Sequence, residues 1–139
     1  MNSNELFTSL FKDYDNYREK KLNSDFISHA QLTEFIRVMQ TNNIFRVEKL
    51  GESLDGKEIF SVVFGEGETK FLAWSQMHGD EPTATAALFD LFNFFSSKDQ
   101  YDDLRKALLK KITFHFIPMV NPDGAEMFTR ENAFNVDLN

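Results

Sequence analysis

The first 44 residues place their hydrophobic side chains at the spacing of α-helices. This spacing predicts an amphipathic helix over residues 3–20. A second helix is predicted to begin near Ser28, because Ser28 and Gln31 have the spacing of a capping box. The apolar positions behind both predictions are Leu6, Phe7, Leu10, Phe11, Tyr14, Leu32, Phe35, Ile36 and Met39. Residues 1–44 are therefore expected to form an N-terminal helical segment.

From residue 45 onward, the pattern changes to three short strands, expected to be neighbours, then two helices and a last apolar run. That run is apolar almost throughout, which is typical of a strand buried on both faces. Because a strand, two helices and a strand form a crossover unit, the third and fourth strands should be parallel. The predicted fold is α/β, with a mixed, largely parallel sheet flanked by helices. The strands are predicted at Phe45–Lys49, Ile59–Phe64, Lys70–Ser75 and Ile112–Val120, and the helices at Ala84–Phe95 and Asp102–Lys111.

Charge and cysteine content narrow the possible functions. The 22 acidic and 15 basic residues give a net charge of −7, which opposes nucleic-acid binding, and Lys20-Lys21 and Lys110-Lys111 are too short to form a basic patch. Because cysteine is absent, a metal would have to be bound by imidazole and carboxylate groups. The first twenty residues match neither a signal peptide nor a membrane span. The expectation is a cytoplasmic protein that binds neither nucleic acid nor membrane.

Polar side chains follow the third and fourth predicted strands at the point where each strand ends. His78 and Glu81 follow the third strand, and Asn121-Pro122-Asp123-Gly124 follows the fourth. Ligands bind at the carboxyl ends of parallel strands in open sheets, so both segments are expected at one edge. An imidazole and a carboxylate three residues apart suit a borderline cation such as zinc. The structural alternative is that Asp80 caps the next helix and Glu81 favours its N-terminal dipole.

Other polar residues have a structural and a functional interpretation. Arg130 and Asn139 lie in a polar loop, where a guanidinium and an amide could bind a carboxylate or an oxyanion. The Asn121–Gly124 segment by itself predicts a turn. His29 is expected on a helix surface, and His115 and Trp74 are expected in the packed interior.

Several segments in order resemble the zinc carboxypeptidases of the carboxypeptidase A/B type. The similarity runs from about residue 45 to residue 139, which would make residues 45–139 the N-terminal half of the catalytic domain. Each segment alone is common, but their ordered combination is specific. The segments are Gly51–Ile59, which is like G-x-S-x-x-G-[RK]-x-I, then His78–Glu81, Asn121–Gly124, Thr129–Ala133 and Val136–Asn139.

The resemblance implies a mechanism and a role for each of four residues. His78 and Glu81 would be the first two zinc ligands, Arg130 would bind the substrate and stabilise the oxyanion, and Asn139 would bind the terminal carboxylate of a peptide or amide substrate. Zinc would polarise the scissile carbonyl and activate a water. The family also supplies an arginine directly after the position of Asn139, a third ligand histidine, a tyrosine and a general-base glutamate, which are expected beyond Asn139.

The chain is therefore expected to be an incomplete part of a metallocarboxypeptidase, inactive alone and prone to self-association through an open apolar edge. Two alternatives remain open. One is a deacylase of the aspartoacylase and succinylglutamate desuccinylase type, which shares the His-x-x-Glu entry. The other is a non-catalytic binding or structural module that keeps the same half-fold.

Overall fold

The first N-terminal helix of the protein is shorter than the hydrophobic pattern predicts, whereas the second begins directly after its predicted cap. A computed structural model describes residues 2–139, with α1 at Ser3–Asp13 and α2 at His29–Met39. The prediction that the first helix reaches residue 20 is wrong, because a 3₁₀ turn at Tyr14–Asn16 follows α1. After this turn Tyr17 is buried, with its ring centroid 5.2 Å from that of Phe94. Tertiary packing of Tyr17 thus overrides the helical pattern.

Capping boxes begin both N-terminal helices. The side chain of Asn2 accepts the N–H of Glu5, and Ser28 does the same for Gln31, as the spacing of the second pair predicts. In each box the side chain of the third helical residue accepts the backbone N–H of the capping residue, so two otherwise unpaired donors are satisfied.

Four strands form one mixed sheet in the order β1-β2-β4-β3. The pairs β1–β2 and β2–β4 are antiparallel, and β3–β4 is parallel. The mixed sheet flanked by helices is confirmed, but two of the three pairings are antiparallel, so these four strands are not largely parallel. The strands are β1 at Arg46–Glu52, β2 at Glu58–Phe64, β3 at Thr69–Trp74 and β4 at Ile112–Ile117.

The expectation that the first three strands are neighbours is wrong, because β4 inserts between β2 and β3. Phe114 and Phe116 of β4 pair with Phe64 and Val62 of β2, which places the aromatic strand in the middle of the sheet. In this position both edges of the apolar strand are hydrogen-bonded to neighbouring strands. β3 is left at the edge, with β4 as its one neighbour in the described sheet.

The crossover from β3 to β4 runs through α3 at Thr83–Ser96 and α4 at Asp102–Lys111. The parallel pairing predicted for these two strands is confirmed. β4 ends at Ile117 rather than Val120, because Pro118 has no N–H for the ladder. The last helix, α5, spans Pro122–Met127.

The core lies between the sheet and helices α2 and α3, and aromatic rings dominate it. The rings of Phe64 and Phe114 stack with centroids 5.0 Å apart, and Phe92 of α3 meets Phe116 edge-on at 5.8 Å. Helix α2 contributes to the same core through Leu32, Ile36 and Met39. Within residues 2–139, no helix is long and apolar enough to cross a membrane.

The prediction that Trp74 lies in the core is wrong. Trp74 is 53% exposed, and Leu72 of the same strand is 59% exposed. Both residues belong to β3, whose outer edge has no paired strand among residues 2–139. Leu72 and Trp74 point to the same face of β3 and therefore form an exposed apolar patch. Phe71 points to the opposite face, where its ring contacts Phe114 and Phe116.

Candidate active site

The segment that carries His78 is held in place by a buried side chain and by a glycine. Gln76 has a φ of 49°, which is uncommon for a residue with a side chain, and its amide donates to the carbonyls of Ile27 and Gly79. A Cβ at Gly79 would lie 1.9 Å from the carbonyl carbon of Gly124. Only glycine fits this close approach, so the backbone around His78 is fixed against α5.

His78 lies between two carboxylates. Its Nδ1 is 3.2 Å from Oε2 of Glu81, and its Nε2 is 3.1 Å from Oδ1 of Asp137. The imidazole is buried, whereas Glu81 is exposed and lies two residues before the first residue of α3. In the neutral ring, an Nε2 proton donated to Asp137 leaves the lone pair of Nδ1 facing Glu81.

Arg130 joins the same group of side chains. Its Nε donates to Oδ2 of Asp137 at 2.9 Å, and its Nη1 donates to Oε1 of Glu81 at 3.3 Å. The backbone N–H of Asn139, then Arg130 and His78, donate to Asp137 and hold the pKa of this carboxyl below its ordinary value. His78, Glu81, Arg130 and Asp137 are therefore one connected polar cluster at the carboxyl end of β3.

Asn139 lies beside this cluster through its backbone. Its N–H donates to Oδ1 of Asp137 at 3.0 Å, and the residue is exposed. The structure thus brings together the four residues that the sequence singled out, His78, Glu81, Arg130 and Asn139. Asp137 bonds to three of them, and Glu81 joins the cluster through His78 and Arg130.

The Asn121–Gly124 segment begins a helix and is not an isolated turn. Asn121 is the N-cap of α5, and its side chain accepts the N–H of Gly124 at 3.0 Å. Pro122 occupies the first helical position, where its missing N–H costs nothing. The turn prediction is therefore corrected, because the same residue types serve as a helix start when an Asn cap precedes Pro.

The polar cluster contains an imidazole and a carboxylate that could serve as metal donors. Within residues 2–139, no group of three or more His, Cys, Asp or Glu side chains is arranged to hold a metal ion. His78 Nδ1 and Glu81 nevertheless converge as an imidazole and a carboxylate, which are donors that zinc prefers. His29 is engaged elsewhere, with its Nε2 2.9 Å from the carbonyl oxygen of Glu58. The donor set fits two positions of a zinc site.

Sequence reasoning missed Asp137 and Gln76. Asp137 belongs to the Val136–Asn139 segment, which was noted as a motif without a role for Asp137. Its contact with His78 joins residues 59 positions apart. No local spacing signals a contact of that kind. Gln76 precedes His78 by two positions, and an uncharged polar residue between a strand and a helix was the available signal.

The fold and the site define an α/β protein with an imidazole and a carboxylate at the carboxyl end of a strand in a mixed sheet. The chain belongs to the zinc carboxypeptidase family, whose sequence model matches residues 32–139. The resemblance drawn from the ordered motifs is thus confirmed, and hydrolase, metallopeptidase and carboxypeptidase describe this family.

Curated relatives of the family are considerably longer than this chain. Carboxypeptidase SOL1 of Arabidopsis thaliana is 31% identical in an alignment 104 positions long, which covers 70% of this chain and 21% of the relative. Mouse carboxypeptidase M is 28% identical in an alignment 135 positions long, which covers 83% of this chain and 30% of the relative. The chain therefore spans less than a third of either protein.

Solved structures show the same fold. A metallo-carboxypeptidase from Burkholderia cenocepacia aligns with a TM-score of 0.74 at 23% identity, over 82% of this chain and 32% of that one. A metallo-carboxypeptidase from Pseudomonas aeruginosa, solved in complex with (2-guanidinoethylmercapto)succinic acid, aligns with a TM-score of 0.68 at 21% identity, over 82% and 31%. The fold class predicted from the sequence is confirmed by these neighbours.

Proposed function

We propose that this chain supplies the first part of the active site of a zinc-dependent metallocarboxypeptidase, which hydrolyses a C-terminal peptide bond or a related amide. The observation that carries the proposal is the orientation of His78. Its Nδ1 faces Glu81 at 3.2 Å, while its Nε2 is engaged by Asp137 at 3.1 Å. A ligating histidine commonly donates its other ring N–H to a carboxylate in this way.

His78 and Glu81 would hold the metal, and Asp137 would hold the imidazole. A bound zinc would supply Lewis-acid polarisation of the scissile carbonyl and a water of lowered pKa. Asp137 keeps the Nε2 proton in place, so that Nδ1 remains available as a donor to the metal. Glu81 adds one negative charge opposite the ring.

Arg130 would act on the substrate oxygen, and Asn139 on the terminal carboxylate. The Arg130 side chain is 41% exposed, so its guanidinium can reach a carbonyl of a bound peptide while Asp137 and Glu81 orient it. An oxyanion developing at that carbonyl would receive charge-assisted hydrogen bonds. The carboxylate groups of the ligand bound to the Pseudomonas aeruginosa neighbour are consistent with recognition of a substrate that has a free carboxylate.

The curated relatives are several times longer than the region that matches this chain. The remaining groups of such a site would come from a corresponding further part of a longer protein. The experiment is to obtain the reading frame beyond Asn139, express the longer protein and measure its zinc content and its release of C-terminal residues from peptides. Zinc-dependent release that His78→Ala and Glu81→Ala abolish would support the proposal. Hydrolysis of N-acyl amino acids alone would assign a deacylase, and a stop codon directly after Asn139 would favour a non-catalytic module.

A further inference from the structure

A buried carboxylate lies outside the polar cluster of the candidate site. Asp123, the second residue of α5, is 2% exposed, yet it is fully bonded. It accepts from Oγ of Ser53 at 2.7 Å, from Nζ of Lys57 at 3.1 Å and from the N–H of Asp55 at 3.3 Å. A buried charge persists only with such partners, so these bonds hold α5 against the turn between β1 and β2.

The charges of this pair are stabilised in the folded protein. Burial would raise the pKa of Asp123, but hydrogen bonds from Ser53 and Lys57 outweigh it and hold the pKa below its ordinary value. Burial likewise opposes the charge of Lys57, and the bond to Asp123 raises the pKa of this ammonium. Both groups are therefore ionised at neutral pH, and the bond between them is a charged one.

The first turn of α5 contacts both the segment that carries His78 and the segment that carries Arg130. On one side, the backbone of Gly124 lies against Gly79, next to His78. On the other side, the carbonyl of Gly124 accepts the N–H of Thr129 at 2.9 Å, and the side-chain amide of Asn121 donates to the carbonyl of Arg130 at 3.3 Å. The position of this turn therefore sets the separation between His78 and the backbone of Arg130.

We propose that Asp123, together with Lys57 and Ser53, is a positioning residue that fixes the His78–Glu81 pair relative to Arg130 by anchoring the first turn of α5. This inference rests on the proposed function, because it concerns the residues of the same site. It assigns a role to a charged pair that touches neither the candidate metal ligands nor Arg130. It also gives a reason why the Gly51–Ile59 and Asn121–Gly124 segments occur together in this chain.

The test is a comparison of NMR spectra of the 139-residue chain without metal, well below its unfolding temperature. All samples carry Leu72→Lys, which replaces an exposed apolar side chain of the edge strand β3 and limits association between chains. The readouts are the ring nitrogens of His78 and the Nε–H of Arg130, with the Nε–H of the buried Arg105 as a distant reference. Ser53→Ala removes one bond to Asp123, and Lys57→Met removes its cation. We expect both variants to shift the His78 and Arg130 resonances and to leave that of Arg105 unchanged.

Two further variants serve as controls. Lys57→Arg keeps a cation beside Asp123 and should retain the parent resonances. Lys106→Met removes the cation of an exposed pair with Asp103, 3.7 Å long, and should also leave the site unchanged. If Lys57→Met does not fold, Ser53→Ala decides the question. Lower thermal stability in Ser53→Ala with unshifted His78 and Arg130 resonances would show a purely structural pair and overturn the proposal.

A zinc titration separates this inference from the proposed function. In the longer protein, failure of zinc to shift the His78 resonances would refute the proposed metal site. The metal-free comparison would still test the positioning role. Zinc binding that is equal in the parent and in Ser53→Ala, with unshifted metal-free spectra, would instead remove the positioning role alone.

Discussion

The imidazole of His78 has a different carboxylate on each of its two nitrogens, and this arrangement makes a prediction at the scale of one residue. Asp137→Asn replaces the acceptor of the Nε2 proton with an amide that can present its donor side. In the longer protein we expect zinc affinity to fall by about 10–100-fold, as it does when outer partners of ligating histidines are lost. Metal-competition titration measures this change.

The control for this prediction is Asp80→Asn. Asp80 is exposed in the same segment as Glu81, so the variant removes an equal charge without touching His78. A similar loss of affinity in both variants would mean that net charge, and not the bond to the imidazole, is responsible.

Arg130 gives a second prediction at this scale. In the longer enzyme Arg130→Ala should lower kcat by about 100- to 1,000-fold with little change in KM, because an oxyanion develops only towards the transition state. Steady-state kinetics on a C-terminally free peptide measures both constants. Arg37→Ala, which removes an exposed arginine of α2, is the matched control. A raised KM at constant kcat would assign Arg130 to ground-state binding.

A third residue-scale prediction concerns acid stability. Hydrogen bonds from Arg105 lower the pKa of Asp99 to about 2, from the ordinary value of 3.8. The unfolded chain therefore binds this proton more readily, and the stability due to Asp99 is lost as the pH falls from about 4 towards about 2. Urea unfolding across this range should show Asp99→Asn with a weaker pH dependence than the parent. Asp103→Asn, at a fully exposed side chain, should keep the parent dependence.

The sequence revealed His78, Glu81 and Arg130 because each lies in a short segment whose residue types and spacing are informative. It did not reveal Asp137 or the partners of Asp123. Those contacts join residues 59 and 70 positions apart, and their geometry exists only after the strands and α5 have assembled. Local pattern thus singles out candidate site residues, whereas tertiary structure decides which side chains contact them.

At the scale of elements, the regular helices were predictable and the strand order was not. Helix α4 has its predicted bounds, and α2 begins directly after its predicted cap. β4 lies between β2 and β3, where Phe114 and Phe116 pair with residues of both neighbours. This order depends on contacts between segments far apart in the sequence, which local pattern does not encode. Trp74 was misplaced for the same reason, because exposure in a strand depends on its neighbours and not on its own residues.

The edge strand β3 carries an element-scale prediction. Its exposed apolar patch and unpaired edge favour association between chains. We expect the 139-residue chain to self-associate above micromolar concentration, and we expect Leu72→Lys to reduce the associated fraction. Light scattering over a concentration series measures this effect.

The control is Val38→Lys, which changes an apolar residue of α2 that is 69% exposed and distant in sequence from β3. It should leave association unchanged. A monodisperse monomer in the parent chain at high concentration would show that residues 1–139 need no partner for this edge.

At the scale of the whole molecule, the chain has a folded core with a cluster of candidate site residues at one end of its sheet. The core joins α2, α3 and the sheet, and one end of that sheet carries the polar cluster. The fold of this chain therefore positions two candidate metal donors and one arginine at the same end of the sheet. A catalytic zinc site usually has three protein ligands and one water, so one ligand is lacking among the described residues.

This shortage leads to the last prediction, that the 139-residue chain alone binds zinc weakly and has no measurable carboxypeptidase activity. With His78 and Glu81 as its two donors, a zinc ion has little charge compensation and exchanges readily. The guanidinium of Arg130 stays protonated and donates to Asp137 and Glu81, so it cannot accept a proton in place of a general base. The assay is incubation of the purified chain with zinc and a peptide that has a free C-terminus. Release of the terminal residue, abolished by a chelator and by Glu81→Ala, would show that a second copy or another residue of this chain completes the site.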